Sequence, residues 1–219
     1  MSFFRNYGLF GPLYMAGIHH MLMPAYAAAG GPIPSLISSA AGASAAEFVV
    51  NVAYPASPQT NDIIILHGLT THGGVTRDNG LVTHTGFTLI DKINAGDTND
   101  DMAVFYKRSI GTETGTIVLD ALGTGTSPKI GGRMHLFRDC ITTGNPYEDA
   151  DSVTAFATGT AISQVAVTSL GPNRLCIHFF GHNTNTTIGN FTGETGGDFT
   201  EAVAEYAPAT PALTMQLQT

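Results

Sequence analysis

The chain has 219 residues, of which 9 are Lys or Arg and 17 are Asp or Glu. Charged residues therefore make up 12% of the sequence, against about 25% in an ordinary soluble domain. The 28 Thr, 26 Gly and 11 Pro suit strands and turns, whereas helices need long unbranched side chains on their exposed faces. The formal net charge of -8 offers no basic patch to phosphates. The composition thus favours an all-β protein and excludes a helical bundle and a nucleic-acid binder.

The length and the apolar content allow one domain with a substantial core. Hydrophobic residues make up 43% of the chain, and a chain of this size buries most of the surface that its unfolded form exposes. The two cysteines, Cys140 and Cys176, match neither a disulfide framework nor a CxxC metal site, so we expect reduced, buried thiols. The apolar runs are all too short to predict a membrane-spanning helix.

Residues 1–45 differ from the rest of the chain in composition. Residues 7–23 are rich in Leu, Met and aromatic side chains, and residues 25–46 are almost entirely Ala, Gly, Ser and Pro. A secretory signal peptide is one interpretation, but Pro12 and the pair His19–His20 interrupt its apolar stretch. We therefore expect an extended N-terminal arm that docks on a partner, with its Ala/Gly/Pro part as a tether or strap.

From Glu47 onward, turn-forming residues recur about every eight to twelve positions, which is the spacing of a sandwich or barrel. No segment shows a convincing helical period. Apolar runs predict strands at 48–54, 62–67, 87–93, 102–108, 115–120, 133–138, 165–168, 174–180, 191–192, 201–206 and 213–217. In the run at 133–138 apolar side chains alternate with Arg133 and His135, which predicts a strand with one face in solvent.

The strand-forming part divides into two related halves, at about 46–140 and 152–219. In both halves a strand leads through a polar loop to a short Phe-Thr strand and then to a strand that contains Tyr. In the first half the next strand, 115–120, corresponds to 213–217 of the second half and is followed by the strand at 133–138, whereas the chain ends at Thr219 where the counterpart of that last strand would begin. The second half is thus one strand short. We expect either further residues or a segment of another chain to fill that place by strand addition.

Several short motifs follow one another in an informative order. They are 61–65 (NDIII), 86–89 (GFTL), 103–107 (AVFYK), 133–137 (RMHLF), 145–147 (NPY), 157–160 (ATGT), 173–177 (NRLCI) and 202–206 (AVAEY). Over about residues 48–219 this order resembles the jelly-roll-like sandwich of bacteriophage virion structural proteins, which serve as head decoration, minor tail or fibre components. The family's usual Trp is replaced by Phe87, and its final strand is absent.

The resemblance implies a fold and a role. The expected fold is a jelly-roll-like antiparallel β-sandwich over 46–219, built from two related halves and preceded by the arm at 1–45. The expected role is that of a structural protein of the virion, as capsid decoration, cement or a tail-associated component. We expect it to form a homo-oligomer, for which a trimer is one arrangement, and to bind the major capsid or tail protein through the arm. The resemblance carries no catalytic residue, cofactor or membrane contact.

Two other functions fit parts of the sequence. The first is an extracellular filament subunit, in which the arm of one chain supplies the missing strand of the next; the low Lys content and the many Thr and Gly suit this equally. The second is a receptor- or carbohydrate-binding module. Such modules rely on aromatic platforms, and this chain has 0 Trp.

One motif resembles part of an enzyme. The run from Ile64 to Leu69, with His67–Gly68 after a strand, is similar to the oxyanion turn of α/β-hydrolases, but that fold also needs G-x-S-x-G at a strand-to-helix elbow. The nearest candidate, 123–127, has the wrong spacing. We therefore predict no enzyme activity and assign no catalytic residue.

Several histidines are candidate metal ligands. His67, His72 and His84 crowd one strand-loop unit, while His178 and His182 lie about 13 Å apart at strand rise, too far for one zinc ion. We expect solvated loop histidines and no metal site.

Two polar stretches are expected to be turns. Residues 97–101 (DTNDD) lack the Gly and distal Glu of an EF-hand, so we expect a hairpin loop that Asp and Asn side chains cap. Residues 145–149 are likewise expected to form a turn.

Overall fold

The computed structural model describes residues 15–24, 32–44, 48–73, 81–83, 86–94, 100–121, 126–147, 150–153, 174–182 and 214–218. Every regular element among them is a β-strand. The strands are β1 (Met15–Pro24), β2 (Ser35–Ser44), β3 (Val49–Ala53), β4 (Thr60–Gly73), β5 (Leu81–Thr83), β6 (Thr88–Asn94), β7 (Asp100–Ile110), β8 (Thr116–Ala121), β9 (Thr126–Arg138), β10 (Ala150–Val153), β11 (Arg174–His182) and β12 (Thr214–Gln218). All their pairings are antiparallel. The prediction of an all-β antiparallel sandwich is confirmed.

The strands form three sheets. The five-stranded sheet has the order β2-β9-β4-β7-β6, the four-stranded sheet β10-β1-β11-β12, and the three-stranded sheet β3-β8-β5. One core cluster joins side chains of the five-stranded and three-stranded sheets, and a second joins the five-stranded and four-stranded sheets. The five-stranded sheet is therefore a central layer with a sheet packed on each face.

The sequence of β4 explains why this sheet lies in the middle. The run Ile63–Leu66 is apolar at every position, and successive side chains of a strand point to opposite faces. Ile64 and Leu66 accordingly lie in the first cluster, while Ile63 and Ile65 lie in the second. Every residue from Asp62 to Thr70 is buried. Each of these large aliphatic side chains contributes about 1.5–3 kcal/mol by leaving water.

The prediction that the strand at 133–138 has one face in solvent is wrong. Residues 130–137 are all buried in β9, with Arg133 at 8% and His135 at 0% exposure. The polar face of this strand lies under the four-stranded sheet, which the alternation of residue types could not reveal.

Two parts of the N-terminal segment belong to the sheets. β1 lies between β10 and β11, and β2 pairs with β9 at one edge of the central sheet. Over these residues the chain is part of the sandwich rather than an extended arm in front of it. Gly42 of β2 lies so close to β3 that a Cβ at this position would clash with the backbone of Asn51. The remaining residues of 1–45, apart from Pro32–Pro34, lie outside the described part.

The second half is described only in part. The strands predicted at 174–180 and 213–217 are confirmed as β11 and β12, while those at 165–168, 191–192 and 201–206 lie outside the described residues. The proposed counterparts β8 and β12 do not occupy equivalent places, because β8 lies in the three-stranded sheet and β12 pairs with β11. Within the described residues, β11 gains its second neighbour from β1 of the same chain.

Glycines in the central sheet allow the three-stranded sheet to pack closely. A Cβ on Gly132 would lie 2.5 Å from Val52 Cγ2 and 3.0 Å from Leu119 Cδ2. Gly132 lies opposite Gly68 in β4, whose own Cβ would lie 2.9 Å from the same methyl group of Leu119. The Gly-Gly pair therefore makes room for a leucine and a valine from the facing sheet.

Replacing Gly132→Ala should lower the free energy of unfolding by about 1–3 kcal/mol, since the new methyl group overpacks this contact. Val52→Ala removes the closest methyl group, so the double variant should lose less stability than the sum of the two single variants. Urea unfolding of all four proteins measures this coupling. Additive losses would show that Gly132 and Val52 are not in contact.

Candidate functional site

The motif that resembles a hydrolase turn is the middle of a strand. His67 lies in β4, opposite Val104 of β7 and Arg133 of β9. Because both neighbours pair with it, no loop forms at this position. Gly68, the residue that follows, allows the facing sheet to pack closely, so the similarity to an oxyanion turn is limited to the sequence.

Among the histidines whose burial the structure describes, three are buried in strands. His67, His135 and His178 all have 0% exposure, so the expectation of solvated loop histidines is wrong for His67 and His178. His72 and His182 lie in β4 and β11, and His84 lies outside the described part. The burial of His135 was not expected from its alternating strand pattern. The fully apolar run next to it in β4 was the available signal, since a strand buried on both faces requires neighbours that are buried too.

Two of these histidines share an aromatic neighbour. The ring centroids of His67 and His135 lie 5.5 and 5.8 Å from that of Phe179 in β11. Ser39 in β2 places its Oγ 2.8 Å from His135 Nδ1, and Arg133 precedes His135 by two residues on the same face of β9. We call His67, Arg133, His135 and Phe179 the histidine cluster. It continues the core between the central and four-stranded sheets.

The environment keeps His135 neutral. Burial is the largest influence that holds the pKa of His135 well below 6.5, and the positive charge of Arg133 and the nearby His67 add to it. A charged imidazole here would lose its hydration and face a cation. The neutral imidazole of His135 is therefore part of the polar core between the central and four-stranded sheets.

The two cysteines are free thiols, as expected. Burial raises the pKa of Cys140 to about 12, which makes it a poor nucleophile. Cys176 is only half-buried, and its Sγ lies 3.5 Å from His178 Nε2, two residues further along β11. The prediction of a buried thiol is confirmed for Cys140 alone.

Charged side chains at one end of the central sheet bind neighbouring loops and strand ends. Arg138 forms two hydrogen bonds with Asp62, from Nε to Oδ1 at 3.0 Å and from Nη2 to Oδ2 at 2.8 Å. Arg108 donates to the carbonyl oxygens of Ile141 and Gly144 at 2.6 and 3.1 Å. These arginines hold the loop after β9 and the start of β4 in place, so their charges serve the fold.

Glu113 organises the turn between β7 and β8. Its carboxylate accepts hydrogen bonds from the Ser109 hydroxyl and the amides of Ile110 and Gly111, and it lies 3.3 Å from Lys107 Nζ. Burial by itself would raise the pKa of Glu113, but these hydrogen bonds outweigh it and lower the pKa to about 2. The carboxylate is thus ionised and committed to the turn at neutral pH.

Within the described part of the chain, no three His, Cys, Asp or Glu side chains are placed to hold a metal ion. Residues 97–99 of the acidic stretch lie outside that part. Asp100 and Asp101 lie at the start of β7, where Asp101 pairs with Asn94 of β6, so the expectation of a loop is wrong for these two residues. The described residues also contain no helix long and apolar enough to cross a membrane.

Apolar side chains are exposed at both edges of the central sheet and at one end of it. Ile33, just before β2, and Ile37, within it, are 53% and 39% exposed, and Ile110 at the end of β7 is 68% exposed. Residues 32–44 contain no charged side chain.

On the opposite edge strand, β6, Leu89 is 43% exposed. The charged residues Asp91 and Lys92 follow it, and the pairing with β7 has a register shift between Leu89 and Asp91. Charges and bulges are the usual protection of an edge strand, and charges are present only at the β6 edge.

Searches for related proteins found no matching family model, no matching curated protein and no matching solved structure.

Stability should fall as the pH drops below about 6.5. The unfolded chain binds a proton at His135 near that pH, whereas the folded chain, in which the pKa is depressed, does not. Each such proton costs up to about 1.4 kcal/mol per pH unit between the two pKa values. Urea unfolding between pH 7.5 and 5 should therefore show a slope that His135→Gln reduces.

Ser39→Ala is the matched control for this experiment. It removes the hydroxyl group that contacts the ring but keeps the buried imidazole, so the pH dependence should persist. An unchanged slope in the His135→Gln protein would show that this histidine does not titrate in the expected way.

Proposed function

We propose that the protein is a structural component of a bacteriophage particle, either a capsid decoration or cement protein or a tail-associated one, that acts by assembly. The observation that carries the proposal is the edge strand β2 with its exposed isoleucines. It supplies a surface that buries apolar area when a partner covers it. The proposal that the particle is a bacteriophage is based on the order of sequence motifs, which resembles the order in phage virion proteins.

The β2 edge suits a permanent contact. Ile33 and Ile37 expose about half of their side chains or somewhat less, and a ten-residue strand without charge presents backbone groups to a neighbour. Isolated soluble proteins usually protect such an edge with Lys, Pro or a bulge. The pairing of β2 with β9 has a register shift between Leu36 and Ser38. From Ser38 to Ser44 the pairing continues without a further shift. Because residues 32–44 belong to the segment expected to dock, we propose that this edge contacts the capsid or tail protein.

The charge distribution supports the same proposal. The sequence has only 26 charged residues, 9 basic and 17 acidic, and Asp62, Lys107, Glu113 and Arg138 form ion pairs within the fold. Interface cores are depleted in charge, and a surface with few free charges tolerates extensive coverage by partners. We propose no catalytic role, since the histidine cluster is part of the core.

The location can be tested directly. Antibodies raised against the recombinant chain should detect it in density-gradient-purified phage particles from the source organism, and immunogold labelling should show a repeated position on the head or tail. Detection of the chain in the lysate but not in the particles would refute the proposed location.

The β2 surface can be tested by substitution. Ile33→Ser together with Ile37→Ser should reduce the binding of the chain to particles by about tenfold or more, because burying about half of each isoleucine contributes about 1 kcal/mol. Leu89→Ser on the opposite edge strand is the control, with similar exposure and full binding expected. Circular dichroism of both variants confirms that they fold. Equal binding by all the proteins would refute β2 as the contact surface.

A further inference from the structure

The four-stranded sheet depends on a strand from the far end of the sequence. Its order is β10-β1-β11-β12, so β1 at Met15–Pro24 lies between strands that begin at residues 150 and 174. β10 and β11 do not pair with each other. Without β1, β10 and β11 lose their shared neighbour, and a gap one strand wide opens over β6 and β7 of the central sheet, which β1 contacts.

Residues 15–24 fit this gap along both edges. Gly17–Pro24 pairs residue by residue with Gly181–Arg174 of β11, and Ile18–Met21 pairs with Val153–Ala150 of β10. The buried side chain of Met23 joins the core cluster that contains Ile177. Most of these interactions are backbone hydrogen bonds, so the same segment of a second copy would reproduce them.

Only one covalent connection ties β1 to the rest of the described structure. β2, the next strand, belongs to the central sheet, and residues 25–34 connect the two without any charged side chain. Fully extended, ten residues and their flanking bonds reach about 35 Å, whereas four strands about 4.8 Å apart span less than about 20 Å. The connection is thus longer than the crossing from β1 to β2 within one copy requires, so its length does not confine β1 to its own chain.

We propose that β1 is exchanged between copies, so that residues 15–24 of one chain fill the gap between β10 and β11 of the next. This deepens the proposed assembly function and rests on it, since exchange requires that copies stand side by side. The contacts are the same within one chain or between two, so the local concentration of copies decides the balance. In dilute solution β1 pairs within its own chain, and at high local concentration β1 is exchanged between copies.

The pairing register provides a covalent test. Leu22 lies directly opposite Cys176, and opposed residues of antiparallel strands have Cα atoms about 4.5–5.5 Å apart, within the range of a disulfide. Leu22→Cys in a Cys140→Ala background therefore leaves two thiols that face each other across β1 and β11. Oxidised glutathione takes up the two electrons and two protons released when they join.

Non-reducing gels separate the two arrangements. In dilute protein the disulfide should form within one chain and leave a single-chain band. In concentrated protein, oxidised at a concentration at which copies associate, the band should shift to disulfide-linked multimers that a reductant dissolves. The control is Met21→Cys in the same background, which lies opposite Ile177 and points to the other face of the strand, so it should give neither product.

Two results would overturn the proposal. A disulfide that stays within single chains in the associated protein would show that β1 is never exchanged. Failure of Leu22→Cys to form any disulfide would show that β1 does not occupy this gap. Either result leaves the particle test independent, because particle binding of the unmodified chain is measured separately. Multimers formed by a chain that binds no particles would support exchange and refute only the proposed location.

Discussion

The burial of β4 on both faces is the constraint on which the rest of the structure depends. A strand with Ile63–Leu66 at successive positions cannot turn one face to water without exposing two large aliphatic side chains. It therefore requires a sheet above and a sheet below. Its neighbours β7 and β9 are drawn into the same layer, and Gly68 and Gly132 give the three-stranded sheet room to approach. The three-layer arrangement follows from that requirement.

Double-sided burial also determines the state of the polar residues. β9 carries Arg133 and His135 on the face that the four-stranded sheet covers, so the two lie next to each other in a region with little water. An imidazole in that position stays neutral, because charging it would lose hydration and add repulsion from the guanidinium group. The ring of Phe179 and the hydroxyl group of Ser39 contact the His135 imidazole. A polar cluster of this kind links the stability of the fold to pH.

The edge strands of the sheets differ in charge and in their origin in the sequence. The two edges of the central sheet differ, since β6 carries charged residues and β2 carries none. The four-stranded sheet differs again, because its second strand in space comes from the N-terminus and the others from beyond residue 149. An uncharged edge and a strand borrowed from the opposite end of the sequence are both means by which a sandwich can join others of its kind. The low overall charge is consistent with surfaces that partners cover.

The sequence by itself determined the strand content and the position of many strands, because low charge, abundant Thr and Gly, and period-two apolar runs are local properties. It also identified Cys140 as a buried thiol and 174–180 and 213–217 as strands. The tertiary structure alone decided that Arg133 and His135 are buried, that β1 and β2 enter two different sheets, and that β8 and β12 occupy different places. The reason is physical. The alternation of residue types along a strand shows which side chains share a face, but the sheet that covers each face consists of strands that lie more than a hundred residues away in the sequence.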